Sequence, residues 1–197
     1  MSAPAESAAK LGDGPAGIPQ PVLVRGTGLL GTSIGIGLSA AGVDVRLHDP
    51  SPAALAVAAD IRAGRPARLD AEGDDLDVAP GLVVVAAPPD VTADVVVDSL
   101  RRWPAAVVVD IASVKEAVAA GVRAAVDDGR LAPQDADRYL GTHPMAGSER
   151  SGPVAARGTL FTQAPWVLCP TDTTHPGALA AGRALALTLQ ATPYRMA

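Results

Sequence analysis

The chain has 197 residues, with 21 acidic against 16 basic side chains and a formal charge of −5 when histidine is neutral. That balance excludes the basic face with which a protein displaces counterions from nucleic acid or an anionic membrane, and the length suits one domain with a good core better than two. A single cysteine, Cys169, excludes an internal disulfide, and the absence of Cys-x-x-Cys or clustered His/Cys/Asp spacing predicts no metal site; a reducing cytoplasm fits both.

Residues 1–19, rich in Ala, Pro, Gly and Ser, lack the basic start and apolar run of a secretion signal and read as a disordered tail ahead of one domain, residues 20–197. Gly, Pro or charge interrupts every apolar stretch short of the roughly 20 residues that cross a bilayer, so a soluble protein is expected. From Pro21 onward short β-branched runs alternate with alanine-rich segments of helical length, the pattern of an α/β fold with a doubly wound, mostly parallel sheet and helices on both faces. Strands are predicted at Val22–Arg25, Asp44–His48, Leu82–Ala87, Ala106–Asp110, Tyr139–Thr142, Trp166–Cys169 and Pro193–Met196. Helices are predicted at Leu29–Ala41, Pro52–Ala63, Val91–Arg102, Val114–Val126 and Pro176–Gln190. The acidic segment Arg65–Pro80 is ambiguous and has room for one short strand. Val83, Val84 and Val85 are apolar in succession, as in a strand covered on both faces. Ser51-Pro52 offers an N-cap with proline at the first helical position, Asp90 can cap the helix after Pro88-Pro89, and Ser113-Val-Lys-Glu116 matches a capping box followed by a stripe of Val114, Val118, Val122 and Val126.

Gly26-Thr-Gly28-Leu-Leu-Gly31 lies between the first strand and the first helix, which makes it a G-x-G-x-x-G dinucleotide fingerprint in a Rossmann-type fold. Its glycines supply a tight turn, close approach of backbone to pyrophosphate, and helix-to-strand packing, while the N–H groups of Leu29 and Leu30 at the helix start attract the phosphates. Asp49, eighteen positions past Gly31 at the end of the second strand, can accept hydrogen bonds from the adenosine ribose, which favours NAD over NADP. The same carboxylate can cap the Asp-Pro-Ser-Pro bend, and the two roles are compatible. Arg46 points along its strand and is not assigned to a 2′-phosphate. Ala87 and Pro88 leave the third strand at the carboxyl edge, where they form a low wall beside the cofactor or a plain turn.

Asp110-Ile-Ala-Ser113-Val-Lys115 leaves the next strand in the same way. Ser113 is read either as the helix cap or as a hydroxyl near the nicotinamide, and Lys115 as an exposed surface lysine. His143 precedes Pro144, which forces an extended backbone and places the imidazole at a strand end. An imidazole of ordinary pKa near 6.5 is mostly neutral at pH 7 and can accept a proton from an alcohol, which makes His143 the catalytic candidate. Ser148, Glu149 and Arg150 follow on its loop, where they orient substrate or solvate a turn. His48 is read as packed, His175 as a helix cap, Cys169 as buried and inert, and Trp166 and Phe161 as core.

These residues resemble the prephenate/arogenate dehydrogenase family of tyrosine biosynthesis. The matching blocks are Gly26-Thr-Gly-Leu-Leu-Gly-Thr-Ser33, Val83-Val-Val-Ala-Ala-Pro-Pro89, Val109-Asp-Ile-Ala-Ser-Val-Lys115, His143-Pro-Met-Ala-Gly-Ser-Glu-Arg-Ser-Gly152 and Phe161–Pro170, in the family's order and spacing from about residue 20 to the end. The resemblance implies an NAD-dependent oxidative decarboxylation of prephenate to 4-hydroxyphenylpyruvate, or of arogenate to tyrosine. In it His143 accepts the hydroxyl proton, Ser113 holds that hydroxyl beside the nicotinamide, Ser148 and Glu149 line the substrate side, and no metal takes part. Family members continue into a helical C-terminal domain that makes the homodimer and supplies cationic contacts to the substrate carboxylates. Because the sequence stops at Ala197, that domain is expected to be absent and the isolated chain weakly active or inactive, Arg150 alone being a poor substitute. Two other readings stand beside this one. A β-hydroxyacid or 6-phosphogluconate-type dehydrogenase relies on a lysine much later in the chain, and none follows Lys115; a noncatalytic NAD-binding or regulatory domain would leave Ser113 and His143 unexplained.

Overall fold

Successive side chains of the first strand enter opposite layers of the molecule: Val22 and Val24 join the core beneath one set of helices, and Leu23 joins the core beneath the other. In the computed structural model, which describes residues 17–70, 73–146 and 152–196, this strand, β1 (Val22–Arg25), lies between β2 (Val45–His48) and β6 (Leu82–Val85), parallel to both. β6 divides its residues in the same way, Leu82 and Val84 to one layer, Val83 and Val85 to the other, and all four are fully buried. The unbroken apolar run thus has the cause expected of a parallel strand with helices on both faces.

The remaining elements are α1 (Leu29–Ala40), α2 (Pro52–Asp60), β3 (Arg65–Pro66), β4 (Leu69–Asp70), β5 (Gly73–Asp74), α3 (Thr92–Arg102), β7 (Val107–Asp110), α4 (Lys115–Asp127), α5 (Pro133–Ala136), β8 (Tyr139–Pro144), β9 (Pro165–Cys169), α6 (Pro176–Thr188) and β10 (Thr192–Arg195). The eight-stranded sheet runs β10-β9-β8-β7-β6-β1-β2-β3. Every pairing in it is parallel except β8 with β9. From β1 the chain moves outward through β2 and β3, then returns to β6 and moves the other way. This reversal opens a crevice at the carboxyl ends of β1 and β6, where sheets of this kind bind ligands. No helix among the described residues is long and apolar enough to cross a membrane.

The structure revises several local expectations. Residues 65–80 hold three two-residue strands rather than one, β4 and β5 forming a separate antiparallel ribbon. Ile18, assigned to the tail, is fully buried in the core beside Val22. Helix α2 stops at Asp60, because Arg62 takes a φ of 62° outside the helical region. Helix α4 starts two residues after Ser113, with Val114 at the N-cap position and no side-chain cap, so the capping box does not form. Val114 is exposed, which shortens the valine stripe to Val118, Val122 and the partly buried Val126. Nor does Asp90 cap α3; instead the Thr92 hydroxyl donates to the carbonyls of Ala87 and Pro88 at 3.1 and 2.8 Å. Ser51 and His175 do cap their helices, accepting from Ala54 N–H and Gly177 N–H. Phe161 and Trp166 meet edge to face, 5.2 Å between centroids, in the core under α6.

Candidate active site

A cavity of about 820 Å³ fills the crevice, within the range of small-molecule sites. The loop Gly26–Gly31 forms its floor, the end of β2 with His48 and Asp49 lies on one side of that loop, the end of β6 with Ala87 and Pro88 lies on the other, and Ser113 and His143 follow beyond β6. The glycines differ as their separate jobs require. A Cβ on Gly31 would lie 1.9 Å from the Gly26 carbonyl oxygen and one on Gly26 would lie 2.4 Å from that of Ala86, whereas one on Gly28 would meet nothing within 4 Å. Gly26 and Gly31 are therefore required by the protein itself, and Gly28 leaves room above the loop for something else. Gly28 also caps α1 without any side-chain acceptor, so the first N–H groups of the helix, those of Leu29 and Leu30 included, face the cavity with their partial positive charge. A dinucleotide's pyrophosphate fits that cradle in charge and in space.

Asp49 holds this loop from the side. Its Oδ2 accepts from the Thr27 N–H at 2.6 Å and the Thr27 hydroxyl at 2.9 Å, and its Oδ1 accepts from Ser51 N–H at 2.8 Å. The bend-capping role is thus present, and the half-buried carboxylate still borders the cavity. Beside it His48, read as merely packed, also lines the cavity while its Nδ1 lies 3.3 Å from the Ala67 carbonyl. Burial, with help from Arg25 and Arg102, pushes the His48 imidazole below its ordinary pKa. Arg46 is turned back onto Asp44 at 3.2 Å, away from any 2′-phosphate.

At the far end, Ser113 is exposed on the β7–α4 loop and His143 is half-buried on β8, and both line the cavity. The chain returns to α1 after His143 through a 3-10 turn, Pro153–Ala155, and the Arg157 N–H donates to Ser33 Oγ at 3.0 Å. Ser148, Glu149 and Arg150 lie outside the described residues.

Behind these two loops is a charged cluster that the reading of the sequence missed. Asp110, wholly buried at the end of β7, receives the ammonium of Lys115 and the Ala112 N–H on Oδ1, the latter at 2.8 Å. Its Oδ2 receives the Tyr139 hydroxyl at 2.7 Å. Lys115 is therefore no surface residue: its side chain is 20% exposed and folds inward onto Asp110. Burial lowers its pKa, with the Asp110 charge opposing the shift. Burial, then the Asp110 charge, holds the Tyr139 phenol well above the usual tyrosine range. Cys169 is half-buried rather than enclosed, and burial raises its thiol while Lys115 draws it down. An acidic residue directly after Val107-Val-Val was the available signal, since a carboxylate ending a buried strand must find partners. Among the described residues no group of three or more His, Cys, Asp or Glu could hold a metal ion.

Comparison with known proteins gives the family and the fold. Residues 35–192 match the family described as "Prephenate dehydrogenase, nucleotide-binding domain". A curated relative, "Probable prephenate dehydrogenase NovF" of Streptomyces niveus, is 39% identical over 165 residues, which are 84% of this chain and 41% of the relative. The chain thus spans less than half the length of that protein. Among solved structures, Synechocystis arogenate dehydrogenase superposes with a TM-score of 0.72 at 25% identity, covering 89% of this chain and 59% of that one. Prephenate dehydrogenase from A. aeolicus, in complex with hydroxyphenyl propionate and NAD+, gives 0.77 at 22% identity, covering 90% and 60%.

Proposed function

From the premise that this chain belongs to the prephenate dehydrogenase family and carries its nucleotide-binding domain, we propose that it binds NAD+ along Gly26–Gly31. We propose further that it supplies the proton-accepting half of an oxidative decarboxylation of prephenate to 4-hydroxyphenylpyruvate. The observation that carries this reading is that His143 and Ser113 line the same cavity as the glycine loop and Asp49, although more than eighty residues separate Ser113 from that loop. The A. aeolicus relative, captured with NAD+ and a hydroxyphenyl ligand, supports the pairing of cofactor and substrate class.

Gly28, with the N–H groups of Leu29 and Leu30, would hold the pyrophosphate; Asp49 would face the adenosine ribose; Ala87 and Pro88 would flank the cofactor. When bound, the nicotinamide serves as hydride acceptor from the ring carbon that bears the hydroxyl. An imidazole nitrogen of His143 takes the hydroxyl proton, and no side-chain hydrogen bond within the described residues competes for that nitrogen. Ser113 orients the hydroxyl. As the ring carboxylate leaves as CO2, its bonding pair completes the aromatic ring, and the proton held on His143 returns to the phenolate oxygen. Ser148, Glu149 and Arg150 would lie on the substrate side. In the longer proteins of the family the reading extends to a cytoplasmic homodimer completed by a helical domain.

The test measures NADH production with prephenate and with arogenate by this chain joined to the helical domain of a longer family member, alongside NAD+ affinity of the purified chain by calorimetry. His143→Asn should lower turnover by about 100-fold or more and leave NAD+ affinity within about threefold. Retained turnover in that variant overturns the role of His143, and preference for arogenate reassigns the substrate.

A further inference from the structure

Asp110 touches both loops that carry the proposed chemistry. Its Oδ1 takes the Ala112 N–H, one residue before Ser113, and the Lys115 ammonium two residues after it. Its Oδ2 takes the hydroxyl of Tyr139, where β8 begins, and its backbone carbonyl takes the Thr142 hydroxyl at 2.7 Å, one residue before His143. Four donors from two separate segments thus converge on one buried residue. Thr142 and Tyr139 are themselves buried. The strand pairing between them sets Asp110 opposite Gly141. A Cβ on Gly141 would stand 3.2 Å from the Tyr139 hydroxyl oxygen and 3.4 Å from Lys115 Cδ, so the cluster occupies the space that a larger residue would need.

We infer that Asp110 is a positioning residue that locks the Ser113 loop to the His143 strand, so that both side chains meet the same end of the cavity. Parallel strand pairing alone fixes β7 against β8 along their length but leaves the loop after β7 free to swing about its last residue. The Oδ1 bonds remove that freedom on one side, and the Thr142 hydroxyl removes it on the other. Asp110, Lys115, Tyr139 and Thr142 do not line the cavity, whereas Ser113 and His143 do, so the lock acts through the placement of those two residues. Small displacements matter there, because reacting groups lose most of their advantage when misplaced by about 1 Å.

This inference rests on the reading of the cavity as a nicotinamide site, and its test separates the two. Three variants are compared with the unaltered chain: Thr142→Val, which keeps the side chain's shape and removes the hydroxyl; Thr142→Ser, which restores a hydroxyl; and Tyr139→Phe, which removes one bond from Oδ2. NADH is titrated into each, with affinity and the fluorescence of bound nicotinamide recorded separately. Thr142→Val and Tyr139→Phe should bind NADH within about threefold of the parent affinity, since the glycine loop is remote from the change. Their bound-nicotinamide emission should shift by roughly a third or more towards that of free NADH, and Thr142→Ser should recover the parent signal. An unchanged emission in Thr142→Val, or no recovery in Thr142→Ser, overturns the positioning role while leaving the cofactor assignment intact. Failure of the unaltered chain to bind NADH overturns both.

Discussion

Asp49 and Thr27 are joined twice, the carboxylate oxygen Oδ2 accepting from the Thr27 N–H at 2.6 Å and from its hydroxyl at 2.9 Å. The acidic residue at the end of β2 therefore shapes the glycine loop as well as bordering the cavity. Charge-assisted bonds of this kind contribute about 1.5–3 kcal/mol each. Asp49→Ala should lower NAD+ affinity by about tenfold or more and also lower the melting temperature, whereas Asp49→Asn, which keeps an acceptor, should lie between. Calorimetry with a parallel thermal melt checks this; a loss of affinity with no change in melting would assign Asp49 to ligand contact alone.

The glycines predict opposite phenotypes. Gly28 has a φ of −70°, which any residue adopts, and open space beyond its missing Cβ. Gly28→Ala should therefore change stability by less than about 1 kcal/mol while weakening NAD+ binding by about tenfold or more. Gly31→Ala would press a Cβ onto the Gly26 carbonyl oxygen, at a cost of about 3 kcal/mol or more. Urea denaturation and cofactor titration on the two variants distinguish them.

His48 predicts an acid-side loss of stability. Burial, the first cause, lowers its pKa in the folded state from the ordinary 6.5, so below that value the unfolded chain binds a proton more readily than the folded one. The contribution is fully present above pH 6.5 and is lost as pH falls through the lower folded value. Stability measured by denaturant at pH 5 to 8 should decline on the acid side, and His48→Gln should flatten that decline. An equal slope in the variant would remove His48 as its source.

Arg138 predicts a large effect far from the cavity. Its guanidinium donates to the carbonyls of Leu100, Trp103 and Ala106 at 2.8, 3.1 and 2.6 Å and pairs with Asp135 at 3.0 Å, tying the end of α3 to the start of β8. A lysine ammonium cannot span that fork. Arg138→Lys should cost about 1–3 kcal/mol in urea denaturation with NAD+ affinity preserved.

Much of this architecture was readable before any coordinates. Val83-Val-Val marked a strand buried on both faces, Ser51-Pro52 and His175-Pro176 marked helix starts, and the glycine spacing marked the crevice, because each pattern is local and its cause lies within a few residues. Ser113 misled for the same reason: its spacing to Glu116 fits a cap, but the loop is drawn elsewhere and α4 begins at Lys115. Only one of the three short strands within residues 65–80 was allowed for, because two residues carry no periodicity.

Sequence by itself determined the α/β alternation, the site of the glycine loop and the candidacy of His143, since propensity, periodicity and turn chemistry are properties of neighbouring residues. Only the tertiary structure decided that Ser113 and His143 share one cavity, that Lys115 turns inward, and that Asp110 receives Tyr139 from 29 positions away. Those outcomes depend on strand order and register. A buried carboxylate takes whichever donors the folded sheet brings within reach, and no local pattern names them.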